Sequence, residues 1–270
     1  MKIHQIKIDF NVTENIKRYV YVYLIEGKNC YLIDSGVNGS EKIIEKYILE
    51  TGRRISEIKG ILITHTHPDH IGTAAYFKEK TNCKIYTSEG EMAWIENIDL
   101  QYRKRPIPNF YNIAGKSAKV DVIVRDGDTI KLDDEISVNV IGTPGHSADE
   151  VSYRINDAIF VGDSIPIKGD IPIYIDKDKS MKSLEKLSSL NNIKYCYPAW
   201  DKIYTYKQMT EKCNEAAEMI KNIDCAVKSV MASCTNINKS EIIEVVCDKL
   251  NLPLDNKLIE TTIESHLNCN

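Results

Sequence analysis

Four of the chain's six histidines fall in two short segments. The first runs Ile61-Leu62-Ile63-Thr64-His65-Thr66-His67-Pro68-Asp69-His70-Ile71-Gly72, and the second Ile141-Gly142-Thr143-Pro144-Gly145-His146-Ser147. Each follows an apolar run that reads as a strand, so each places polar groups at a strand end, where sites are carried on rigid scaffolds. In an extended segment His65 and His67 point to the same side. Asp69 and His70 come at the turn into a helix. Neutral imidazoles gathered with carboxylates are what Zn²⁺, Fe²⁺ or Mn²⁺ requires. A third segment, Ile159-Phe160-Val161-Gly162-Asp163, reads as a buried strand ending in Gly-Asp, and a carboxylate there could bridge two metals. His4 and His266 stand alone and carry no such pattern.

The elements that must position these groups follow from periodicity. Residues 3–9 and 19–25 alternate polar and apolar, and 30–33 is a short apolar run. Gly27, Lys28 and Asn29 form a hairpin turn. Helical spacing of Ile43, Ile44, Tyr47 and Ile48 starts at Ser40 and stops at Gly52. Residues 60–64 read as a buried strand, about 72–80 as a helix and 84–87 as a strand. The stretch 89–119 reads as a helix and loop insertion beside the site. Strands resume at 120–124, 129–132, 136–141, 151–155 and 158–161. A helix over about 180–190 and a strand at 194–197 complete this part. From Lys207 onward the pattern is helical, with one helix at 240–250 behind Ser240 as N-cap and another at 258–267. This tail reads as a helical cap on the main domain or a small winged-helix-like unit. Two strand-rich halves with few helices between them suggest two sheets packed face to face with helices outside.

Composition bounds the rest. The 270 residues are 43% hydrophobic and 27% charged, with a net charge of −4, which is a folded, core-forming composition. No Lys/Arg-rich run provides a footprint for nucleic acid. No stretch reaches the roughly 18 apolar residues of a membrane span, and the N-terminus lacks a signal peptide's apolar core. The expectation is a cytoplasmic protein with neither a nucleic-acid nor a membrane partner. The eight cysteines include no C-x-x-C pair and read as reduced thiols, mostly buried as small apolar side chains.

His65-Thr66-His67-Pro68-Asp69-His70 resembles the metal signature of the metallo-β-lactamase superfamily. Thr143-Pro144-Gly145-His146-Ser147 resembles its second metal segment, Phe160-Val161-Gly162-Asp163 its third, and Leu32-Ile33-Asp34-Ser35-Gly36 its early strand-turn. The four segments stand in the superfamily's order, and the resemblance covers roughly residues 3 to 200. It implies an α/β fold, an αββα sandwich of two mixed β-sheets flanked by helices. The metal site would sit at one edge between the sheets, with the C-terminal helical region added. The expected division is a metal-hydrolase domain over 1–205 and a helical extension over 206–270.

The same resemblance implies that His65, His67 and His146 hold one metal, that Asp69 and His70 belong to a second, and that Asp163 bridges them. Asp34 would orient a ligand by hydrogen bonding. One or two divalent ions are expected, Zn²⁺ first and Fe²⁺ or Mn²⁺ as alternatives. The implied chemistry is a metal-bound hydroxide attacking an ester, thioester, lactone or amide carbonyl of a small-molecule substrate, with Asp69 orienting the nucleophile or protonating the leaving group. One segment departs from the pattern. Trp200 in Tyr197-Pro198-Ala199-Trp200-Asp201-Lys202 stands where the superfamily usually supplies a last histidine. Either the second metal lacks a ligand, or Asp201 replaces it. Two other readings therefore stay open, a metal-binding sensor without turnover and a mononuclear-iron sulfur dioxygenase. Tyr102, Phe110, Tyr111, Tyr174 and Trp200 are candidates for lining the substrate pocket, with Arg103 and Arg105 available for an anionic group. The tail, with Ile242, Ile243, Val246 and Leu250 at helical spacing, would pack on the main domain or mediate homo-oligomerisation.

Overall fold

Twelve strands in two sheets make the centre of the computed structural model, which describes residues 1–233, 237–254 and 256–267. The first sheet runs in chain order: β1 (Lys2–Asn11), β2 (Lys17–Glu26), β3 (Cys30–Ile33), β4 (Ile58–Leu62), β5 (Lys84–Ser88) and β6 (Val122–Val124). The second has the order β12-β11-β10-β9-β8-β7, from β7 (Thr129–Lys131), β8 (Ser137–Gly142), β9 (Val151–Ile155), β10 (Ala158–Gly162), β11 (Tyr195–Pro198) and β12 (Tyr204–Thr205). Both sheets are mixed. The hairpin-linked strands β1, β2 and β3 pair antiparallel, whereas β3, β4, β5 and β6 pair parallel because helices cross over between them. In the second sheet only β10 and β11 are parallel, with helix Lys177–Ser188 between them in sequence.

The period of two along each strand decides which layer a residue joins. In β2, Val20, Val22 and Leu24 face the helices Glu41–Glu50 and Ala74–Thr81, while Tyr23 and Ile25 enter the layer between the sheets. There they meet Val138, Val140, Tyr153 and Phe160 from the second sheet. A strand buried on both faces in this way lies inside a sandwich, and the architecture is αββα, as the family resemblance implies.

The C-terminal helices Tyr206–Ser233, Lys239–Leu250 and Lys257–Leu267 cover the outer face of the second sheet. Met209, Cys213, Ala216, Ile220, Ile223 and Val227 recur at alternating steps of four and three, which puts them on one stripe of the long helix. That stripe shares a single apolar cluster with Ile159 and Val161 of β10, Leu184 and Leu187 of the preceding helix, and Val246 and Ile263 of the last two helices. Each Met, Val, Leu or Ile side chain in this cluster contributes roughly 1.5–3 kcal/mol when fully buried. Among the described residues the tail has no strand of its own, so the helical cap is found and the winged-helix-like unit is not. The helix at 239–250 is capped by Asn238 rather than Ser240. The Asn238 side chain accepts from the Glu241 amide at 3.0 Å, and Glu241 accepts from the Asn238 amide at 2.9 Å, a reciprocal pair that Ser240 lacks. Five cysteines are buried and Cys225 is exposed; Cys234 and Cys269 lie outside the described residues. Among the described residues, no helix is long and apolar enough to cross a membrane.

Candidate metal centre

Strand ends from both sheets converge at one edge of the sandwich. The segment after β4 carries His65 and His67, and the short helix Pro68–Ile71 that follows carries Asp69 and His70. The loop between β8 and β9 carries His146, Asp163 follows β10 directly, and Trp200 follows β11. Two glycines make the convergence possible. A side chain at Gly162 (φ +52°) would sit 2.6 Å from Thr64 Oγ1 and Glu150 Oε1, so only glycine lets the end of β10 approach the His65 segment this closely. Gly145 (φ +136°) packs against the backbone of Ser180, where a Cβ would lie 2.5 Å from the amide nitrogen. The Val151 amide then donates to Thr64 O at 3.0 Å and the Tyr153 hydroxyl to Ile63 O at 2.9 Å, tying the second sheet to the first beside the site.

Three ring nitrogens meet at a point. His67 Nδ1 lies 3.0 Å from His65 Nε2 and 2.8 Å from His146 Nε2. In the rings of His146 and His65 the opposite nitrogen is engaged. His146 Nδ1–H donates to Ile173 O at 2.8 Å, and His65 Nδ1 sits 3.2 Å from Thr64 Oγ1. These contacts turn Nε2 lone pairs of both rings inward. Burial, reinforced for His65 and His67 by the neighbouring cationic and imidazole groups, holds the pKa of all three below the ordinary range. Three imidazole nitrogens gathered this closely, with those of His65 and His146 free to accept, match the donor set that a divalent cation requires.

A second group adjoins the first. His70 Nε2 lies 3.4 Å from Asp163 Oδ1 and 3.7 Å from Asp69 Oδ2. His70 Nε2 and Asp163 Oδ1 are both buried and neither has a hydrogen-bond partner among the described residues. The other carboxylate oxygen, Asp163 Oδ2, faces the first group, 3.4 Å from His146 Nε2. Burial opposes charge on His70, but Asp163, Asp34 and Asp69 outweigh it and hold its pKa well above the usual value. A site that pulls this hard on a proton offers a divalent cation the same field. Orphaned donors at the second group and converging lone pairs at the first fit a metal on chemical grounds, with Asp163 between the two. Within the described residues, the sets His65/His67/His146 and His65/His70/Asp163 each bring their donor atoms within 4.8 Å of one another.

Asp34, at φ +56°, accepts from His70 Nδ1 at 2.8 Å and from the Thr64 amide at 2.8 Å. It thereby fixes the His70 ring and the start of the His65 segment together. Two acids absent from the sequence reading support the same loops. Glu91 is 2% exposed and accepts from the Thr66 amide (3.0 Å), the Thr66 hydroxyl (2.6 Å), the Ser147 hydroxyl (2.6 Å) and the Asp149 amide (3.1 Å). It staples the His65–His67 segment to the His146 loop. Glu150 accepts from the Asp163 amide at 2.9 Å and lies 3.4 Å from His65 Nδ1. Burial, then the charge of Asp163, pushes the Glu150 carboxyl well above the carboxylate range. Neither acid sits in a recognisable spacing, so only the tertiary structure reveals them.

A cleft of about 430 Å³ opens onto the centre, lined by His67, Asp69, His146, Asp163 and Trp200. Trp200 is the only aromatic candidate of the sequence reading that lines it. Tyr102, Phe110 and Tyr111 pack on one another instead in tilted and edge-to-face pairs, with ring centroids 5.1–5.3 Å apart, and the intervening segment containing Pro106, Ile107 and Pro108 forms the wall. Tyr174 is fully buried and its hydroxyl meets His266 Nε2 at 2.8 Å, which directs it into the C-terminal helices. Asp201 lines neither this cleft nor the smaller one beside it. Its carboxylate accepts from the Tyr204 hydroxyl and from the Lys202 amide. The remaining wall comes from places far apart in sequence: Phe10, Val12 and Ile16 of the first hairpin, Ile171 and Ile173 after β10, and residues 256–258 of the tail.

Comparison with known proteins agrees with this geometry. The chain is 30% identical over 155 residues to a probable metallo-hydrolase of Bacillus subtilis (strain 168), covering 55% of this chain and 64% of that one. It is 26% identical over 190 residues to a probable metallo-hydrolase of Methanocaldococcus jannaschii, covering 67% of this chain and 87% of the relative. A hydroxyacylglutathione hydrolase of Rhodopseudomonas palustris (strain BisB18) is 33% identical over 107 residues, 39% of this chain and a third (33%) of that enzyme. The match therefore spans less than two thirds of the first and third of these relatives. Among solved structures, a metallo-beta-lactamase family protein from Thermus thermophilus superposes with a TM-score of 0.78 over 98% of this chain and 91% of its own, at 16% identity, which speaks for the fold. The family model of the metallo-beta-lactamase superfamily matches residues 16–199, a span that holds every histidine and carboxylate of the centre, and the chain belongs to that superfamily.

Proposed function

We propose that the chain is a metal-dependent hydrolase of a small ester-like substrate, an ester, thioester or lactone. The observation that carries this reading is the convergence of His65, His67 and His146 on one point at the floor of a cleft, beside the orphaned atoms of His70 and Asp163. A divalent ion held there supplies Lewis acidity toward an acyl carbonyl and brings the pKa of water toward 7. The chain's own residues do the rest. His146, held by Ile173 O, and His70, held by Asp34, keep their rings fixed, so no reorganisation is needed when substrate enters. Asp69 lines the cleft with its carboxylate beside His70 Nε2. It accepts a proton from the attacking water and returns it to the leaving group. Relatives named hydroxyacylglutathione hydrolases support an acyl group as the part that is cleaved.

Asp69→Asn is expected to lower kcat by about 10²–10⁴-fold, with an unchanged circular dichroism spectrum. An unchanged rate removes Asp69 from the mechanism.

The two halves of the centre differ. Trp200 Nε1–H donates to Asp163 Oδ2 at 2.9 Å, and an indole nitrogen is a donor only. With Asp201 engaged by Tyr204, neither it nor Trp200 adds a side-chain ligand to the second group of Asp69, His70 and Asp163. The second ion is therefore the weaker one. Stepwise chelation with metal counted per chain is expected to strip one ion first in the wild type, and Trp200→His to narrow that difference. Two ions leaving together from the wild type contradict this account of Trp200. A centre with one firm ion also suits a mononuclear-iron sulfur dioxygenase. Oxygen uptake with a persulfide, measured beside thioester hydrolysis, separates that reading from the first.

A further inference from the structure

The cleft holds a cation that the chain does not neutralise. Arg105 follows helix Ile98–Lys104 and lines the cleft together with His67, Asp69 and Asp163. Its guanidinium has no hydrogen bond and no ion pair among the described residues, although it is only partly accessible. Arg18, in the same wall, is different: both of its terminal nitrogens reach Asp170 at 3.1 Å. Burial draws the Arg105 pKa down, and only Asp69, Asp163 and Glu91 act against it. None of the three is free to pair with it. Glu91 is committed to Thr66, Ser147 and Asp149, and Asp69 and Asp163 belong to the metal centre. A half-buried guanidinium on a cleft wall, with its carboxylate neighbours committed elsewhere, is a binding site for an external anion, and its planar fork matches a carboxylate or a phosphate. The surroundings are apolar, with Phe10, Ile107, Ile171, Ile173 and Leu258 facing the same space. Lys257, at the start of the last helix, adds a second cation at the wall, unpaired among the described residues.

We propose that Arg105 sets the specificity of the cleft by seating an oxyanion group of the substrate, a carboxylate or phosphate, while the rest of the substrate lies on the apolar wall. The proposal deepens the hydrolase reading and rests on it for the identity of the scissile bond. The substrate class is then an acyl ester or thioester that carries an anion and an apolar portion.

The test uses the full-length, metal-loaded protein and three thioesters: neutral S-butanoyl-N-acetylcysteamine, S-butanoyl-3-mercaptopropanoate with the anion on the leaving side, and S-succinyl-N-acetylcysteamine with the anion on the acyl side. At least one anionic thioester is expected to exceed the neutral one in kcat/KM by about tenfold or more. Arg105→Gln is expected to bring that ratio to within about twofold, and Arg105→Lys to leave it between, since lysine keeps the charge and loses the fork. Metal content and circular dichroism verify that the variants are intact. A second arm needs no turnover. The thioethers S-butyl-3-mercaptopropanoate, 2-(butylthio)ethyl phosphate and N-acetyl-S-butylcysteamine are titrated by calorimetry, the first two distinguishing carboxylate from phosphate. Tighter binding of an anionic thioether to wild type, lost in Arg105→Gln, supports the proposal even when no thioester is hydrolysed, an outcome that sinks the hydrolase reading alone. Equal binding of all three to wild type, or an anion preference that survives in Arg105→Gln, overturns it.

Discussion

Glu91→Ala is expected to cost the chain roughly 3 kcal/mol or more of stability and to weaken metal binding by about 10–100-fold. The reason is the number of donors that one buried carboxylate satisfies. Thr66 gives it an amide and a hydroxyl, Ser147 a hydroxyl and Asp149 an amide. Alanine leaves these donors without their acceptor in a region closed to water, and each such loss costs about 1–3 kcal/mol before relaxation. Thr66 stands between His65 and His67, and Ser147 follows His146, so the loops that slacken are the ones that carry the three imidazoles. Glu91→Gln keeps one acceptor oxygen but turns an NH₂ group toward donors, and is expected to fall between alanine and wild type. Urea unfolding gives the stability change, and competition with a chromophoric chelator gives the affinity. A midpoint within error of wild type, with full metal affinity, contradicts the role assigned to Glu91.

The parts of this site that can be read from the sequence share a property: their meaning is local. His65, His67, Asp69 and His70 lie within six residues, and the spacing alone places two imidazoles on one side of an extended segment ahead of a helical turn. The strands are legible because β2 and β10 are alternating or continuously apolar, and the tail helices because their apolar residues recur every three or four positions. What escapes such a reading is set by packing between distant segments. Glu91 opens no motif, and its four donors come from residues up to 58 positions away in sequence. Tyr174 suits the cleft on sequence grounds because it follows Asp163 closely, yet Thr262 and His266 from the last helix capture its backbone and hydroxyl. Tyr102, Phe110 and Tyr111 suit a lip over the metals, but they pack on each other in tilted and edge-to-face pairs away from the cleft. The apolar wall cannot be assembled from sequence at all, since Phe10, Ile107, Ile173 and Leu258 meet only once both sheets and the tail are in place.

The second large effect is expected from the double variant His65→Ala/His146→Ala. His65 and His146 supply two of the three imidazoles that meet at one point, and His65 also lies beside His70 and Asp163. Removing both leaves His67 without either imidazole at the meeting point and takes a donor from the adjoining group. Fold is retained in this expectation, because the sheets and helices are held by their own apolar clusters, and the relief of clustered, buried imidazoles offsets part of the lost packing. The decisive measurement is the number of metal ions per chain in protein purified without added metal, compared between wild type and this double variant at equal circular dichroism. The wild type is expected to retain at least one ion through dialysis and the variant to retain less than about a tenth as much. Equal occupancy in the two proteins would contradict the central claim that these histidines form a metal centre.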